Sequence, residues 1–397
     1  MKYLILQPDG VADTPLPDLG GRTPLEYAQT PNMDRLAACG MLGMTHTIPP
    51  GMPPGSDVGT LSVLGYDPRQ YHTGRSPIEA ASMGVELGPE DVAFRCNLVC
   101  IQDGLMRDFS AGHISTAEAG EIIRELQRQL GSDGIEFHPG VSYRHLLVWR
   151  GGKSSMRTTP PHDITDRAVE PYWPQGEGAD MLLRLSEAAR QILAEHPVNQ
   201  ARRQKGLVAA TSIWLWGQGK RPALPTLRQR FGLSGGVISA VDLVNGLGVL
   251  AGLEVIKVPG VTGFLDTNFE GKAAYALQAL ADKDLVFVHV EATDEAGHMG
   301  DAQKKVQAVE LFDSKIVAAL LEGLRTFPEW RMLLMPDHAT PCALKTHSAD
   351  PVPFIIVGAR DLQAGGAARA YSERAAAAAG VLVPEACTLL PTYLVQN

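Results

Sequence analysis

The sequence predicts an α/β fold, in which a doubly wound, mainly parallel sheet carries a small inserted α+β domain. Apolar runs of strand length alternate with helix-length segments along most of the 397 residues, as in parallel sheets with helical crossovers. Some runs are almost entirely apolar and rich in β-branched residues, such as residues 286–290 and 354–357, which is typical of strands buried on both faces. Between residues 92 and 180 the order becomes strand–strand–helix–strand–strand. We therefore expect a core formed by residues 1–91 and 181–397 and an insertion at 92–180.

Composition limits the class of protein. The chain is 45% hydrophobic and has 41 Gly and 28 Pro, which suits a large core with many strand-to-helix loops. Its formal net charge of −9 argues against a general nucleic-acid or membrane-surface binder, and no apolar stretch reaches membrane-spanning length. Its five cysteines are widely spread, which favours reduced thiols. The N-terminal apolar run is too short for a signal peptide, so we expect a cytoplasmic enzyme.

The first predicted strand, at residues 3–6, is followed by Asp9 and Gly10. We expect Asp9 at the carboxyl edge of the sheet, where open parallel folds bind ligands; an ordinary turn residue is the alternative. A stiff Pro/Gly loop then leads to Ser56, at the start of a predicted helix. Two interpretations of Ser56 stay open. It is either an N-cap or a nucleophile activated by a metal, at a helix N-terminus that favours anions.

Two later strands are each followed by residue types that bind metals. The first two candidates are four residues apart, so they share one face if that segment is helical. The others follow the next strand and the loop after it. Five ligands of mixed O and N type exceed what one four-coordinate ion uses, so they predict a two-metal site. The five candidates are Asp294, His298, Asp337, His338 and His347.

Polar side chains in and around the insertion suit an acidic substrate, although each is individually also consistent with an ordinary surface position. Arg75 lies in a polar loop before the insertion, and Lys220 follows a strand after it. The insertion itself carries Arg95, His113, Arg144, His162 and Asp163.

A set of motifs recurs in a recognisable order along nearly the whole chain. They are Asp9-Gly10, Thr-Pro-Asn-Met-Asp-Arg-Leu, Pro-Gly-Ser-Asp, Leu-Gly-Tyr-Asp-Pro, Thr-Gly-Arg, Phe-Arg-Cys-Asn, Trp-Gly-Gln-Gly-Lys, Asp-Glu-Ala-Gly-His, Asp337-His338 and His347. In this combination the chain resembles the alkaline phosphatase superfamily and, within it, the archaeal-type cofactor-independent phosphoglycerate mutases.

The resemblance implies a glycolytic isomerase that interconverts 3- and 2-phosphoglycerate, independently of 2,3-bisphosphoglycerate, through a phosphoserine intermediate. It implies two divalent ions, Mn²⁺ or Zn²⁺ or else Mg²⁺ or Co²⁺. The insertion would form a cap over the site that excludes water. The expected partner is a small phosphorylated acid, without nucleic acid or membrane, and the chain is expected to be a monomer or a small homo-oligomer.

The resemblance also assigns roles to individual residues. Ser56 becomes the nucleophile, Lys220 and Arg75 stabilise the transferring phosphoryl group, and the polar residues of the insertion surround the substrate. The implied ligands are Asp294, His298 and His347 for one ion, and Asp9, Ser56, Asp337 and His338 for the other.

Two segments depart from these mutases. Ser76 follows Gly74-Arg75 where the mutases have Gly, and the segment ending in His113 lacks a common Arg. Both features resemble a bacterial branch suspected of phosphorylating homoserine. The alternatives to a mutase are therefore a phosphotransferase to another small acceptor such as homoserine, or a phosphomonoesterase. A third hypothesis is a non-catalytic metal-binding protein, which the complete set of candidate metal ligands disfavours.

Overall fold

The computed structural model describes residues 1–395, and the chain forms two compact units. Unit 1 combines Met1–His72 with the residues from Ala223 onward, and unit 2 is Thr73–Pro222. The inserted segment is therefore longer at both ends than the 92–180 predicted from sequence. None of the helices within residues 1–395 has the length and apolar character needed to cross a membrane.

Thirteen strands occur in the described residues. They are β1 Lys2–Pro8, β2 Met41–Thr45, β3 Val92–Gln102, β4 Leu105–Asp108, β5 Ile135–Val141, β6 Arg144–Trp149, β7 Ser212–Lys220, β8 Gly235–Ile238, β9 Glu254–Val255, β10 Leu285–Val290, β11 Trp330–Leu334, β12 Val352–Gly358 and β13 Leu382–Val383.

The α-helices of the described residues include several of a single turn. They are α1 Pro24–Tyr27, α2 Pro31–Cys39, α3 Ser56–Val63, α4 Pro68–Tyr71, α5 Ser76–Ser82, α6 Thr116–Leu130, α7 Ala179–Glu195, α8 Pro197–Gln204, α9 Leu227–Phe231, α10 Asp242–Leu250, α11 Phe269–Asp282, α12 Ala292–Met299, α13 Ala302–Leu311, α14 Ala318–Gly323, α15 Ala359–Ala364 and α16 Glu373–Ala378. A π-helical segment, Phe312–Val317, joins α13 to α14.

Unit 1 contains an eight-stranded sheet in the order β13-β2-β12-β11-β1-β10-β8-β9. The central strand β1 pairs in parallel with both neighbours, so that Ile5 lies opposite Phe287 of β10 and Leu333 of β11. Only β12 runs antiparallel to its neighbours in the described sheet. The predicted α/β fold with a mainly parallel sheet is confirmed.

The unit 1 sheet is buried on both faces, as its continuous apolar strands indicate. Leu4 and Leu6 of β1 face one core, which includes Ala276 of α11 and Phe312. On the opposite face α10 approaches β8 closely, because a side chain at Gly248 would meet the Val237 side chain. Helices therefore cover the sheet and leave its strand ends as the places where polar side chains can gather.

Unit 2 is an α+β unit whose five-stranded antiparallel sheet contains β7 as well as the four predicted strands. The sequence predicts that residues from 181 onward belong to the core, but β7 instead pairs with β3 of unit 2, with Asn97 opposite Trp214. A strand pattern does not name the partner strand, which explains the misplaced boundary. Helices α6 and α7 share the unit 2 core, where Ile122 and Leu182 are buried.

Candidate functional site

The polar residues predicted from sequence gather at one edge of the unit 1 sheet. Strand β1 ends at Pro8, just before Asp9, while β10 leads into α12 and β11 into the loop that carries Asp337. Since β1 lies between β10 and β11 and runs parallel to both, all three strands end at the same edge. Segments about 280 and 330 residues apart in sequence are thereby brought together.

A first cluster consists of Asp294, His298 and His347. Helix α12 places Asp294 Oδ2 3.2 Å from His298 Nε2, as the four-residue spacing predicts. The Nε2 atoms of the two histidines are only 2.9 Å apart, and His298 Nδ1 lies 3.1 Å from the Lys345 carbonyl oxygen. Because a carbonyl only accepts, Nδ1 carries a proton, and Nε2 faces the carboxylate and the second imidazole at the centre of the cluster.

Protonation in the first cluster follows from its contacts. The hydrogen bond to Asp294 raises the pKa of His298 to about 9. Burial raises the pKa of Asp294, but hydrogen bonds from His298 and His347 outweigh this effect and hold the pKa well below its ordinary value. An ionised carboxylate thus faces two imidazole nitrogens, which is a mixed O/N donor set suited to a divalent transition metal.

A second cluster consists of Asp9, Asp337 and His338, all fully buried. His338 Nε2 lies 3.2 Å from Asp337 Oδ2 and 3.6 Å from Asp9 Oδ1. Those two carboxylate oxygens are buried and accept no hydrogen bond from residues 1–395. Burial, followed by the charge of Asp337, raises the pKa of Asp9 well above its ordinary value. Crowded carboxylates without donors are unfavourable, and a cation between them would remove the penalty.

Ser56 belongs to the second cluster, with its Oγ 3.1 Å from His338 Nε2. The residue is the first of α3, whose N-cap is Gly55, and no side chain caps the helix. The N-cap interpretation of Ser56 is therefore wrong. Its hydroxyl instead points to the ligand-type residues, at a helix end whose exposed N–H groups favour a negatively charged group.

His289 and Glu291 form part of the site and were not predicted. His289 Nε2 lies 2.7 Å from Asp9 Oδ2 and 3.4 Å from Glu291 Oε2, and its Nδ1 is 2.9 Å from Ser239 Oγ. Burial lowers the pKa of His289 well below its ordinary value and raises that of Glu291 to about 8. The only sequence signal was a histidine inside an otherwise apolar strand. These residues form a third group that could hold a cation or else orient Asp9.

The predicted substrate residues all lie in unit 2, where aromatic rings connect several of them. Phe109 makes edge-to-face contacts with Tyr143 and with His162, with ring centroids 5.7 and 6.1 Å apart. His162 also lies against Trp216, 5.5 Å away. No sequence pattern distinguishes the connecting rings Phe109, Tyr143 and Trp216, because isolated aromatic residues usually indicate core positions.

Cationic residues lie at both ends of this aromatic row. Arg95 stacks 4.7 Å from the Trp216 ring and is held by Glu79 through hydrogen bonds that include one of 2.9 Å. Arg144 lies 5.6 Å from the Tyr143 ring, which also contacts His113. The structure thus brings Arg95, His113, Arg144 and His162 into one row.

The remaining predicted residues of unit 2 lie near this row or apart from it. Asp163 Oδ1 is 3.5 Å from His162 Nε2. Burial lowers the pKa of His162, and the charges of Arg95 and Arg75 act in the same direction, so Arg75 lies near the row. Lys220 is instead paired with Glu90 at 2.6 Å.

Comparisons with known proteins agree with one another. A family model described as 2,3-bisphosphoglycerate-independent phosphoglycerate mutase matches residues 37–199. A relative from Geobacter sulfurreducens, named as a probable enzyme of that description, is 50% identical over 398 residues, covering 99% of this chain and 100% of the relative. A relative from Methanosarcina barkeri with the same description is 52% identical, covering 90% of each chain.

Solved structures also match over nearly the whole chain. A protein of Pyrococcus horikoshii matches with a TM-score of 0.81 at 30% identity, over 98% of this chain and 95% of that one. The cofactor-independent phosphoglycerate mutase of Thermoplasma acidophilum matches with a TM-score of 0.67 at 25% identity, over 98% of each chain.

Proposed function

This chain belongs to the family of 2,3-bisphosphoglycerate-independent phosphoglycerate mutases, and we propose that it interconverts 3- and 2-phosphoglycerate. The observation that carries the proposal is the position of Ser56, whose Oγ lies 3.1 Å from His338 Nε2 within a buried cluster of ligand-type side chains. As an enzyme of glycolysis it would act in the cytoplasm, as a monomer or a small homo-oligomer.

We assign two divalent ions to the two clusters. The mixed O/N donor sets suit Mn²⁺ or Zn²⁺, with Mg²⁺ and Co²⁺ as alternatives, and the unpartnered oxygens of Asp9 and Asp337 support a cation in the second cluster. When bound, such ions lower the pKa of a nearby hydroxyl and stabilise the attacking and leaving oxygens of a phosphoryl transfer. The assigned ligands are Asp294, His298 and His347 for one ion, and Asp9, Ser56, Asp337 and His338 for the other.

Ser56 is the proposed nucleophile of a two-step exchange. Its Oγ forms a bond to phosphorus while the bond from phosphorus to the C3 oxygen of 3-phosphoglycerate breaks, and the released C3 oxygen takes up a proton in place of the one that Ser56 loses, which leaves phosphoserine and glycerate. The C2 hydroxyl oxygen of glycerate then bonds to phosphorus and loses its proton while the bond from phosphorus to Ser56 Oγ breaks, and Oγ takes up a proton to regenerate the hydroxyl. The position of Ser56 at the start of α3 supports this role, because free backbone N–H groups there stabilise phosphate charge.

Unit 2 would supply the substrate contacts, in the capping role that the resemblance implies for the inserted segment. Its row of Arg95, His113, Arg144 and His162, with Arg75 and Asp163 nearby, combines positive charge with hydrogen-bonding groups for a small phosphorylated acid. Lys220 is proposed to stabilise phosphoryl oxygens after exchanging its Glu90 partner for substrate. Exclusion of water matters, since hydrolysis of the phosphoserine would turn the mutase into a phosphatase.

The test combines turnover with trapping of the intermediate. We expect metal-dependent conversion of 3- into 2-phosphoglycerate and, after brief exposure to labelled substrate, a labelled peptide containing Ser56. Ser56→Ala should abolish both while metal remains bound. Ser62→Ala is the matched control, because Ser62 lies in the same helix but bonds to the Thr47 carbonyl. Transfer to homoserine, or release of inorganic phosphate without isomerisation, would contradict the mutase assignment.

A further inference from the structure

Thr340 lies between the two clusters and is held firmly there. The residue is fully buried and follows His338 by two positions. Its backbone N–H is 3.2 Å from the carbonyl oxygens of Gly10 and of Ala12, and its own carbonyl accepts a hydrogen bond of 2.8 Å from Lys305 Nζ. The backbone is therefore fixed independently of what the side chain does.

The Thr340 hydroxyl contacts one residue of each cluster. Its Oγ1 hydrogen-bonds to Asp294 Oδ1 of the first cluster and lies 3.2 Å from His338 Nδ1 of the second. A hydroxyl has one proton to donate, and an ionised carboxylate can only accept. The proton of Thr340 therefore points to Asp294, and the oxygen must accept the proton of His338 Nδ1.

This allocation of protons decides the tautomer of His338. With the proton on Nδ1, the Nε2 atom has a free lone pair on the side where Ser56 Oγ lies, 3.1 Å away. A histidine can ligate a metal only through an unprotonated nitrogen, and a hydrogen bond to its other nitrogen usually selects which one that is. Without the Thr340 oxygen, Nδ1–H loses its acceptor and the preference for this tautomer is reduced.

We propose that Thr340 is a positioning residue that joins the two metal clusters, orienting Asp294 as a donor and selecting the Nε2-unprotonated tautomer of His338 as an acceptor. The proposal rests on the proposed function in one respect, namely that Asp294 and His338 are metal ligands. It predicts that one hydroxyl affects ion binding in both clusters, although it is itself assigned as a ligand in neither.

Two substitutions at this position separate the hydroxyl from packing. Thr340→Val keeps the branched shape and removes the hydroxyl, whereas Thr340→Ser keeps the hydroxyl. Thr45→Val is the matched control, because Thr45 is equally buried in unit 1 and donates a single hydrogen bond of 2.8 Å to the Val383 carbonyl. Thr45 contacts no candidate ligand among the hydrogen bonds of the described residues.

The first measurement is Mn²⁺ binding by calorimetry, starting from chelator-treated full-length protein. Thr340→Val should weaken Mn²⁺ binding about 10- to 100-fold, the usual effect of removing a group that orients a metal ligand. Thr340→Ser should recover most of this loss, and Thr45→Val should bind Mn²⁺ like the parent protein even if its Tm falls. Unchanged affinity in Thr340→Val would overturn the proposal.

The second measurement is the ¹⁵N chemical shift of the His338 ring nitrogens, in metal-free protein labelled at histidine. The parent protein and Thr340→Ser should show a protonated Nδ1, and Thr340→Val should show a mixture of tautomers. A His338 that keeps the Nδ1-protonated form in Thr340→Val would refute the role of the hydroxyl. This readout is independent of turnover. Lack of mutase activity in the parent protein would contradict the proposed function but would not affect the tautomer result.

Discussion

Two kinds of buried histidine occur in this protein, and their surroundings have different consequences. His289 and His338 face carboxylates in the candidate site. His145 in unit 2 instead accepts a 2.9 Å hydrogen bond from the Gly140 N–H through Nδ1, while its Nε2 has no partner among residues 1–395. Burial lowers the pKa of His145 to about 3. The folded unit therefore holds this imidazole neutral, and the free energy of unfolding should fall in acid, where the unfolded chain binds a proton that the folded unit does not.

We expect His145 to make folding of unit 2 sensitive to mild acid. Its pKa is about 3 when folded and about 6.5 when unfolded, so the unfolded chain binds the extra proton between these values and stability falls as pH decreases from 6.5 towards 3. The contribution lost between pH 7 and pH 5 is about 2 kcal/mol.

Urea unfolding followed by tryptophan fluorescence tests this expectation, since four of the five tryptophans (Trp149, Trp173, Trp214 and Trp216) lie in unit 2. The free energy of unfolding of His145→Gln should depend on pH less steeply than that of the parent protein. Equal pH dependence in the two proteins would show that His145 is not the responsible group.

At the scale of elements, helix α13 is attached to the site loops by a buried ion pair. Lys305 Nζ lies 2.9 Å from Asp13 Oδ2, with both side chains fully buried, and it also donates to the carbonyls of Ala12 and Thr340. Asp13 in turn accepts a hydrogen bond from the Cys342 N–H. One charged pair thus fixes the loops that follow β1 and β11 relative to α13.

Removal of one member of this pair should be costly. Lys305→Met leaves the Asp13 carboxylate buried without its counter-charge, and we expect a loss of about 3–5 kcal/mol in the free energy of unfolding. Lys304→Met is the matched control, because its neighbouring pair with Asp301 is accessible to solvent, with side chains 44% and 36% exposed, and such pairs contribute at most about 1 kcal/mol. Chemical denaturation of the two variants provides the comparison, and similar losses would contradict the assignment of the buried pair.

A candidate ligand on helix α12 allows a separate prediction about the number of divalent ions bound per chain. His298→Ala removes one of three candidate ligands from the first cluster without touching the second, so we expect bound divalent ions to fall from two to one per chain. Glu295→Ala on the same helix is the control, because Glu295 is exposed and contributes to neither cluster. Metal analysis after dialysis measures the result; two tightly held ions in His298→Ala would show that this cluster is not the binding site.

At the scale of the whole molecule, the candidate chemistry is divided between two units. All seven candidate metal ligands belong to unit 1, and all seven candidate substrate or phosphoryl-stabilising residues other than Ser56 belong to unit 2. Metal binding should therefore act directly on the stability of unit 1, by about 2.7 kcal/mol for each ion at a metal concentration 100 times its Kd.

Hydrogen exchange with and without Mn²⁺ measures this division. We expect increased protection in the segments around β1, β10, α12 and β11, whose ends carry the ligands, and much smaller changes in the strands of unit 2. Protection distributed equally over both units would contradict the assignment of the ions to unit 1 alone.

The spacing of residues along the sequence was sufficient to predict the positions of some of the candidate site residues. The four-residue spacing of Asp294 and His298 places both on one face of α12, and the end of a strand before Asp9 places Asp9 at the sheet edge. These predictions depend on backbone periodicity, which neighbouring residues determine. The buried, β-branched strands likewise indicated a mainly parallel sheet, because both of their faces have to be covered by helices.

Other features depend on which distant segments meet, and only the tertiary structure decided them. The sequence of β7 is that of a strand, but its pairing with β3 extends unit 2 to residues 73–222. Ser56 could equally have been a helix cap until the fold placed His338 beside it. His289 and Thr340 acquire their contacts from strands and loops brought together at the sheet edge. Hydrogen bonds between side chains that are distant in sequence form only when packing brings them together, so local sequence patterns cannot predict them.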